Sequence, residues 1–178
     1  MRGWHYNSRE HALAARGISC RARGIHNVCG VVDVESDEIV EALWGKDLGG
    51  RTREEFVEEL IEDLEEICSK PTTKLYRVVW TKKFDRKHPG LYYVARYEDL
   101  FDGSDFLNYL YELGIEQETI PEDADIKKDM KIIEVEVPTK DIDIKMTVNN
   151  WFEWPEEREI VLAKDSNVKI IGVEEPYA

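Results

Sequence analysis

Lys131-Ile-Ile-Glu-Val-Glu-Val137, Asp141-Ile-Asp-Ile-Lys-Met-Thr-Val148, Glu159-Ile-Val-Leu162 and Val168-Lys-Ile-Ile-Gly-Val173 together decide the fold class of this chain. In the first segment Ile133, Val135 and Val137 share one face while Glu134 and Glu136 share the other. In the second, Ile142, Ile144, Met146 and Val148 alternate with Asp143, Lys145 and Thr147. Strict period-two alternation predicts half-buried antiparallel strands. Asp165-Ser166-Asn167, between the third and fourth segments, consists of turn formers and predicts a hairpin. Ahead of that hairpin stands an aromatic and acidic cluster, Trp151-Phe-Glu-Trp-Pro-Glu-Glu-Arg-Glu159. Glu157 and Glu159, two residues apart at the mouth of a strand, are expected to point the same way and form a candidate site for chemistry.

Toward the N-terminus, Gly90–Tyr97 and Lys74–Trp80 read as further strands. Leu75, Arg77 and Val79 would share one face of the latter, and an inward arginine is costly unless an anion meets it. Arg77 could equally face water on an edge strand or pair with an internal carboxylate. Between these strands lies a basic loop carrying Lys82, Lys83, Arg86, Lys87 and His88. The clearest helix follows the capping box of Thr52 and Glu55, with Phe56, Val57, Leu60, Ile61, Leu64, Ile67 and Cys68 at helical spacing and Pro71 beyond its end. Cys68 lies on that apolar stripe and reads as core rather than nucleophile. Shorter helices are predicted over Ser8–Gly17, capped by Ser8 and stopped by Gly17, over Asp37–Trp44 and over Asp105–Leu113. Val31–Val34 reads as a short strand, Gly49-Gly50 as a hinge and residues 116–130 as a loop. The sum is an α+β fold, with N-terminal helices followed by a mostly antiparallel β-sheet core. Residues 1–30 form a basic head and 31–178 a single α+β domain.

The net charge of −14 divides into +4 over residues 1–30 and −18 over the remainder. Such a body repels nucleic acid, leaving only the head to touch phosphates, fold back on the acidic body or meet an acidic partner. No apolar run approaches the roughly 20 residues that span a bilayer, and no apolar signal core opens the chain, so no membrane contact and a cytoplasmic location are expected. Three cysteines, an odd number, do not suggest a disulfide framework. His5, His11, Cys20, His26 and Cys29 do not reproduce paired C-x2-C spacing, so no metal is expected.

The order of these pieces resembles the ADP-ribosyltransferase superfamily of NAD-consuming proteins, over about Lys74 to Glu174. Leu75-Tyr76-Arg77 is similar to the first-strand arginine of that family. Pro155-Glu-Glu-Arg-Glu159 and the segment after it resemble the Glu-x-Glu turn of toxin and phage mono-ADP-ribosyltransferases. Where those enzymes carry Ser-Thr-Ser, this chain has Tyr93-Val94-Ala95-Arg96, and Gly90-Leu-Tyr92-Tyr93 is closer to the Gly-x-Tyr strand of the poly(ADP-ribose) polymerase branch and to RES-domain toxins. The cassette His11–Gly17 resembles short basic stretches near the ends of archaeal and viral proteins.

The resemblance implies NAD as substrate, with ADP-ribosyl transfer or NAD glycohydrolysis through an oxocarbenium-like transition state. Glu159 would stabilise the developing cation through a ribose hydroxyl, and Glu157 would orient or deprotonate the acceptor. Arg77 would grip the pyrophosphate or its adjoining ribose. Tyr92 or Tyr93 would stack on nicotinamide, only one of them facing the cleft because strand neighbours point oppositely. A protein acceptor is implied. The alternative is a non-catalytic copy of the fold serving as an acidic module for a protein partner.

Overall fold

In the computed structural model, residues 9–23, 33–81, 84–100 and 126–175 are described. Among the described residues four helices, α1 (Arg9–Ala22), α2 (Asp37–Leu43), α3 (Arg53–Cys68) and α4 (Ile144–Glu153), and a single helical turn over Ile126–Asp129 accompany five strands. The strands are β1 (Thr72–Trp80), β2 (Tyr92–Val94), β3 (Met130–Pro138), β4 (Glu159–Val161) and β5 (Lys169–Glu174). The architecture is α+β: one antiparallel sheet in the order β4-β2-β1-β3-β5 with helices on one face.

Helix α3 begins where the capping box predicts, the Thr52 hydroxyl accepting the Glu55 amide at 3.1 Å. Its buried stripe of Phe56, Val57, Leu60, Ile61, Leu64 and Ile67 packs toward Leu75, Val79, Ile133, Val135 and Val137 of the sheet. Each such aliphatic side chain contributes roughly 1.5–3 kcal/mol relative to its exposed state. Helix α1 adds Ala14, Ala15, Ile18 and Ala22 to the same core and pairs Arg21 with Glu58 at 2.8 Å, so residues 14–22 fold back onto the acidic body. Among the described residues no helix is long and apolar enough to cross a membrane.

Several expectations need correction. Gly17 does not stop α1, because Ile18 and Ala22 keep the buried stripe going past it. The alternating segment 141–148 is not a strand. Only Ile142 bridges the sheet, opposite Leu162; Asp143 then caps α4, its carboxylate accepting the Met146 amide at 3.0 Å. Residues 159–162 and 168–173 do not form a hairpin either. The chain turns at Lys164–Asp165, the Ser166 amide donating to the Ala163 carbonyl at 3.1 Å, slightly ahead of the expected Asp165–Asn167, but β4 pairs with β2 at one edge while β5 pairs with β3 at the other. Of the loop expected over 116–130, residues 126–129 form a helical turn and Met130 belongs to β3, while 116–125 lie outside the described residues. The strand expected over Gly90–Tyr97 shrinks to Tyr92–Val94. Asp33 and Val34 lie in no strand. Val31, Val32, the cap at Ser8 and the helix expected over Asp105–Leu113 lie outside the described residues. Cys20 is disulfide-bonded, against the expectation drawn from the cysteine count, while Cys68 carries a free thiol whose pKa burial pushes up.

Candidate functional site

Side chains of directly paired residues on antiparallel strands project from the same face, and the face alternates along each strand. Tyr76 pairs with Val94, and Val94 with Glu159. The adjacent row therefore runs Arg77, Tyr93, Ile160 on the other face. That second row faces the helices, since Tyr93 and Ile160 belong to the main core. Arg77 and Glu159 thus lie on opposite sides of the sheet and do not line one groove, contrary to the expectation that they share a dinucleotide cleft. The same parity puts Tyr93 with Arg77 and Tyr92 with Glu159.

Arg77 occupies a central strand, not an edge, and is half-buried. Its Nη1 donates to the Pro89 carbonyl at 2.8 Å, and the guanidinium also bonds the Tyr93 phenol. The Tyr93 hydroxyl donates to the Gly90 carbonyl at 3.1 Å. Among the described residues no carboxylate pairs with Arg77. Burial lowers the pKa of the guanidinium, and the neighbouring phenols partly offset this. Tyr93 is pushed up to about 12, burial outweighing the opposing pull of Arg77. The pair reads as a polar plug that fixes the turn at Pro89-Gly90.

Glu157 and Glu159 are both buried but are not related by strand alternation. Glu157 closes a 3-10 turn over Pro155–Glu157, and Arg158 takes a left-handed backbone (φ 47°) before β4 starts. The Trp151 indole donates to the Glu159 carbonyl at 3.2 Å and packs its ring 6.1 Å from Phe56, so Trp151 belongs to the core. Between the two glutamates, Arg158 lies 5.5 Å from the Trp151 ring centroid and pairs with Glu59 and, at 3.9 Å, with Asp63. Arg51 joins Glu59 at 2.6 Å, and Arg96 joins Asp63 at 3.9 Å and Asp99 at 3.2 Å. Three cations and three anions alternate along this chain of contacts, which ties α3 to the start of β4. Asp63 has a raised pKa, burial prevailing over Arg96 and Arg158. The arrangement is balanced charge holding two elements together.

Among the described residues the open surface lies elsewhere, in a region to which the sequence reading assigned no site. On the sheet face away from the helices a cleft of about 340 Å³ is lined by Tyr76, Tyr97, Ile132, Glu134, Gly172, Val173 and Glu174. Tyr76 and Tyr97 meet edge to face at 5.8 Å, and the Tyr97 hydroxyl donates to Glu174 Oε1 at 3.0 Å. Beside the cleft, β5 leaves Ile171 40% and Val173 51% exposed. Of its lining, the sequence placed Glu134 on the solvent side of its strand, while Tyr76, Gly172 and Val173 stood in predicted strands with no site assigned to them. Comparison with protein-family models, curated proteins and solved structures finds no match. Among the described residues no group of three His, Cys, Asp or Glu is placed to hold a metal ion.

Proposed function

We propose that this chain is a non-catalytic interaction module that accepts an extended segment of a protein partner along the edge of β5. The contrast between the two edges of the sheet carries this reading. At β4 all three residues are buried, and α4 closes the edge: the Thr147 hydroxyl accepts the Val161 amide at 3.0 Å, and the Asp143 amide donates to the Val161 carbonyl at 2.8 Å. At β5 no described residue pairs with the outer edge, and Ile171 and Val173 stand in solvent. An edge strand presents unpaired N–H and C=O groups, and an added strand gains main-chain hydrogen bonds there while its alternate side chains are read by the sheet face. Trp44 is more exposed, at 74%, but stands on the C-cap of a seven-residue helix with no edge beside it.

On this reading the ordered motifs reflect an ADP-ribosyltransferase-like scaffold without its site. An NAD-consuming reaction draws no support from the placement of Arg77 and Glu159 on opposite faces. The test is selection of extended peptides from a displayed library, followed by hydrogen exchange. Selected peptides should protect the amides of Lys169–Glu174, and Ile171→Lys with Val173→Lys should weaken them at least tenfold while leaving thermal stability within a few degrees. Peptides that protect no β5 amide, or that ignore both substitutions, overturn the reading.

A further inference from the structure

We infer that the cleft beside β5 is a subsite for a guanidinium, so that the segment added at this edge carries an arginine. The inference rests on the strand-addition reading and names the chemistry that the sheet face selects. A strand laid along β5 sends alternate side chains to the face that bears Gly172 and Glu174. Gly172 lines the cleft next to Glu134: a methyl group added to it would rest in van der Waals contact with Glu134 Oε2 at 3.5 Å, so its absence leaves that side of the carboxylate uncovered. The walls are two tyrosine rings and two carboxylates. Aromatic faces attract cations, and a planar guanidinium can stack on a ring while presenting paired N–H groups to a carboxylate, which a point-charge ammonium does less well.

Among the described residues the cleft's own counter-charge is sparse. Lys74 reaches Glu134 only at 4.0 Å, and Lys131 pairs with Glu175 at 2.9 Å rather than with Glu174. Glu98 adds a third carboxylate whose field, with that of Glu134, raises the Tyr76 pKa beyond what burial alone does. Residues 101–125, which follow directly from Leu100, contain eight acids and no Lys, Arg or His, so that segment supplies no cation either. Among the described residues this face thus keeps an excess of negative charge that a cationic side chain of the partner would meet.

The probes are two capped heptapeptides, Thr-Val-Thr-Arg-Thr-Val-Thr and the same sequence with Gln in place of Arg, measured by fluorescence anisotropy and by hydrogen exchange on the full chain. The arginine peptide should bind at least tenfold more tightly at low salt, and Glu134→Gln with Glu174→Gln should remove that advantage. A lysine version should fall between the two. Equal binding of the arginine and glutamine peptides, with β5 amides protected by both, overturns the guanidinium subsite and leaves strand addition standing. An arginine advantage that survives both glutamate substitutions also overturns it, placing the cation elsewhere on the acidic surface. Binding of neither peptide, or binding without protection of β5, overturns both readings.

Discussion

Gly90 holds a backbone conformation (φ 105°) that leaves its missing side chain's place to the guanidinium of Arg77. A Cβ built on Gly90 would overlap Nη1 of Arg77, the same nitrogen that donates to the Pro89 carbonyl. Two costs therefore fall on Gly90→Ala: a backbone region that L-residues rarely enter, and eviction of a half-buried cation from its hydrogen bonds. We expect a loss of about 3 kcal/mol in denaturant unfolding. In an Arg77→Ala background the same substitution should cost at least about 1 kcal/mol less, because the overlap is gone while the backbone term remains. Strict additivity of the two substitutions would show that they do not share this space.

Tyr93 gives a spectroscopic handle on the same plug. Its pKa is raised to about 12, with burial as the main cause and Arg77 opposing it. For an acid whose folded pKa lies above its unfolded value of about 10, the unfolded chain loses its proton first. The phenol's contribution is thus fully present below pH 10 and is lost as pH rises toward 12, on the order of 2 kcal/mol in all. Alkaline titration followed by tyrosinate absorbance should show a late-titrating tyrosine that is absent in Tyr93→Phe. Stability of the parent should fall more steeply above pH 10 than that of the variant.

The reading of the sheet from sequence succeeded where one face is solvated. Segment 131–137 alternates because Glu134 and Glu136 are only half-buried while Ile133, Val135 and Val137 are sealed. Segment 141–148 alternates just as strictly, yet from Ile144 onward it folds as a helix. Ile144, Met146, Thr147, Val148, Asn149, Asn150, Trp151 and Phe152 are all buried, so α4 is enclosed on most sides and its period carries little information. The missed signal was Asp143, a good N-cap, followed by Ile144, Val148 and Trp151 at spacings of four and three. The false hairpin has a different cause: local turn chemistry reports that a chain reverses, not which neighbours its strands find. Here the Asn167 amide donates to Asp141 at 3.0 Å, tying the turn to the loop before α4 and sending β5 to the far edge. The sequence left Arg77 open between an inward cation, a water-facing edge residue and the partner of a carboxylate, and its actual partners, a carbonyl and a phenol, come from a loop and strand that only the fold brings beside it.

Arg158 anchors the charge network, and its removal should be felt through Asp63. Burial already raises the Asp63 pKa, against the pull of Arg96 and Arg158. A carboxyl with a folded pKa above its unfolded value favours folding below about pH 4, and this contribution is lost as pH rises through the folded pKa. Arg158→Met keeps the packing against Trp151 but withdraws one of the two cations, so the Asp63 pKa should rise further and the loss of stability above pH 4 should steepen. At neutral pH the variant should lose about 2 kcal/mol, less than a fully buried pair because Glu59 and Asp63 are partly exposed. Adding Asp63→Asn should recover part of that loss. Urea midpoints across pH 4–8 for the three proteins decide the matter, and parallel profiles would detach Asp63 from Arg158.

The NAD expectation can be confronted directly through the parity of the sheet. Oxocarbenium chemistry needs a carboxylate at the ribose while a cation holds the phosphates of the same molecule. Glu159 stands in the row of Val94 and Tyr76, and Arg77 in the row of Tyr93 and Ile160 on the reverse side. Glu159 is itself buried at the end of the closed β4 edge. A dinucleotide touching both groups would have to pass around the sheet. Incubation with NAD labelled in the nicotinamide ring should therefore release nicotinamide no faster than the protein-free control, and Glu159→Gln and Arg77→Met should behave alike. Release by the parent chain that is lost in Glu159→Gln would mean that the sheet reorganises to bring the two rows to one side, and would return the carboxylate to a catalytic role.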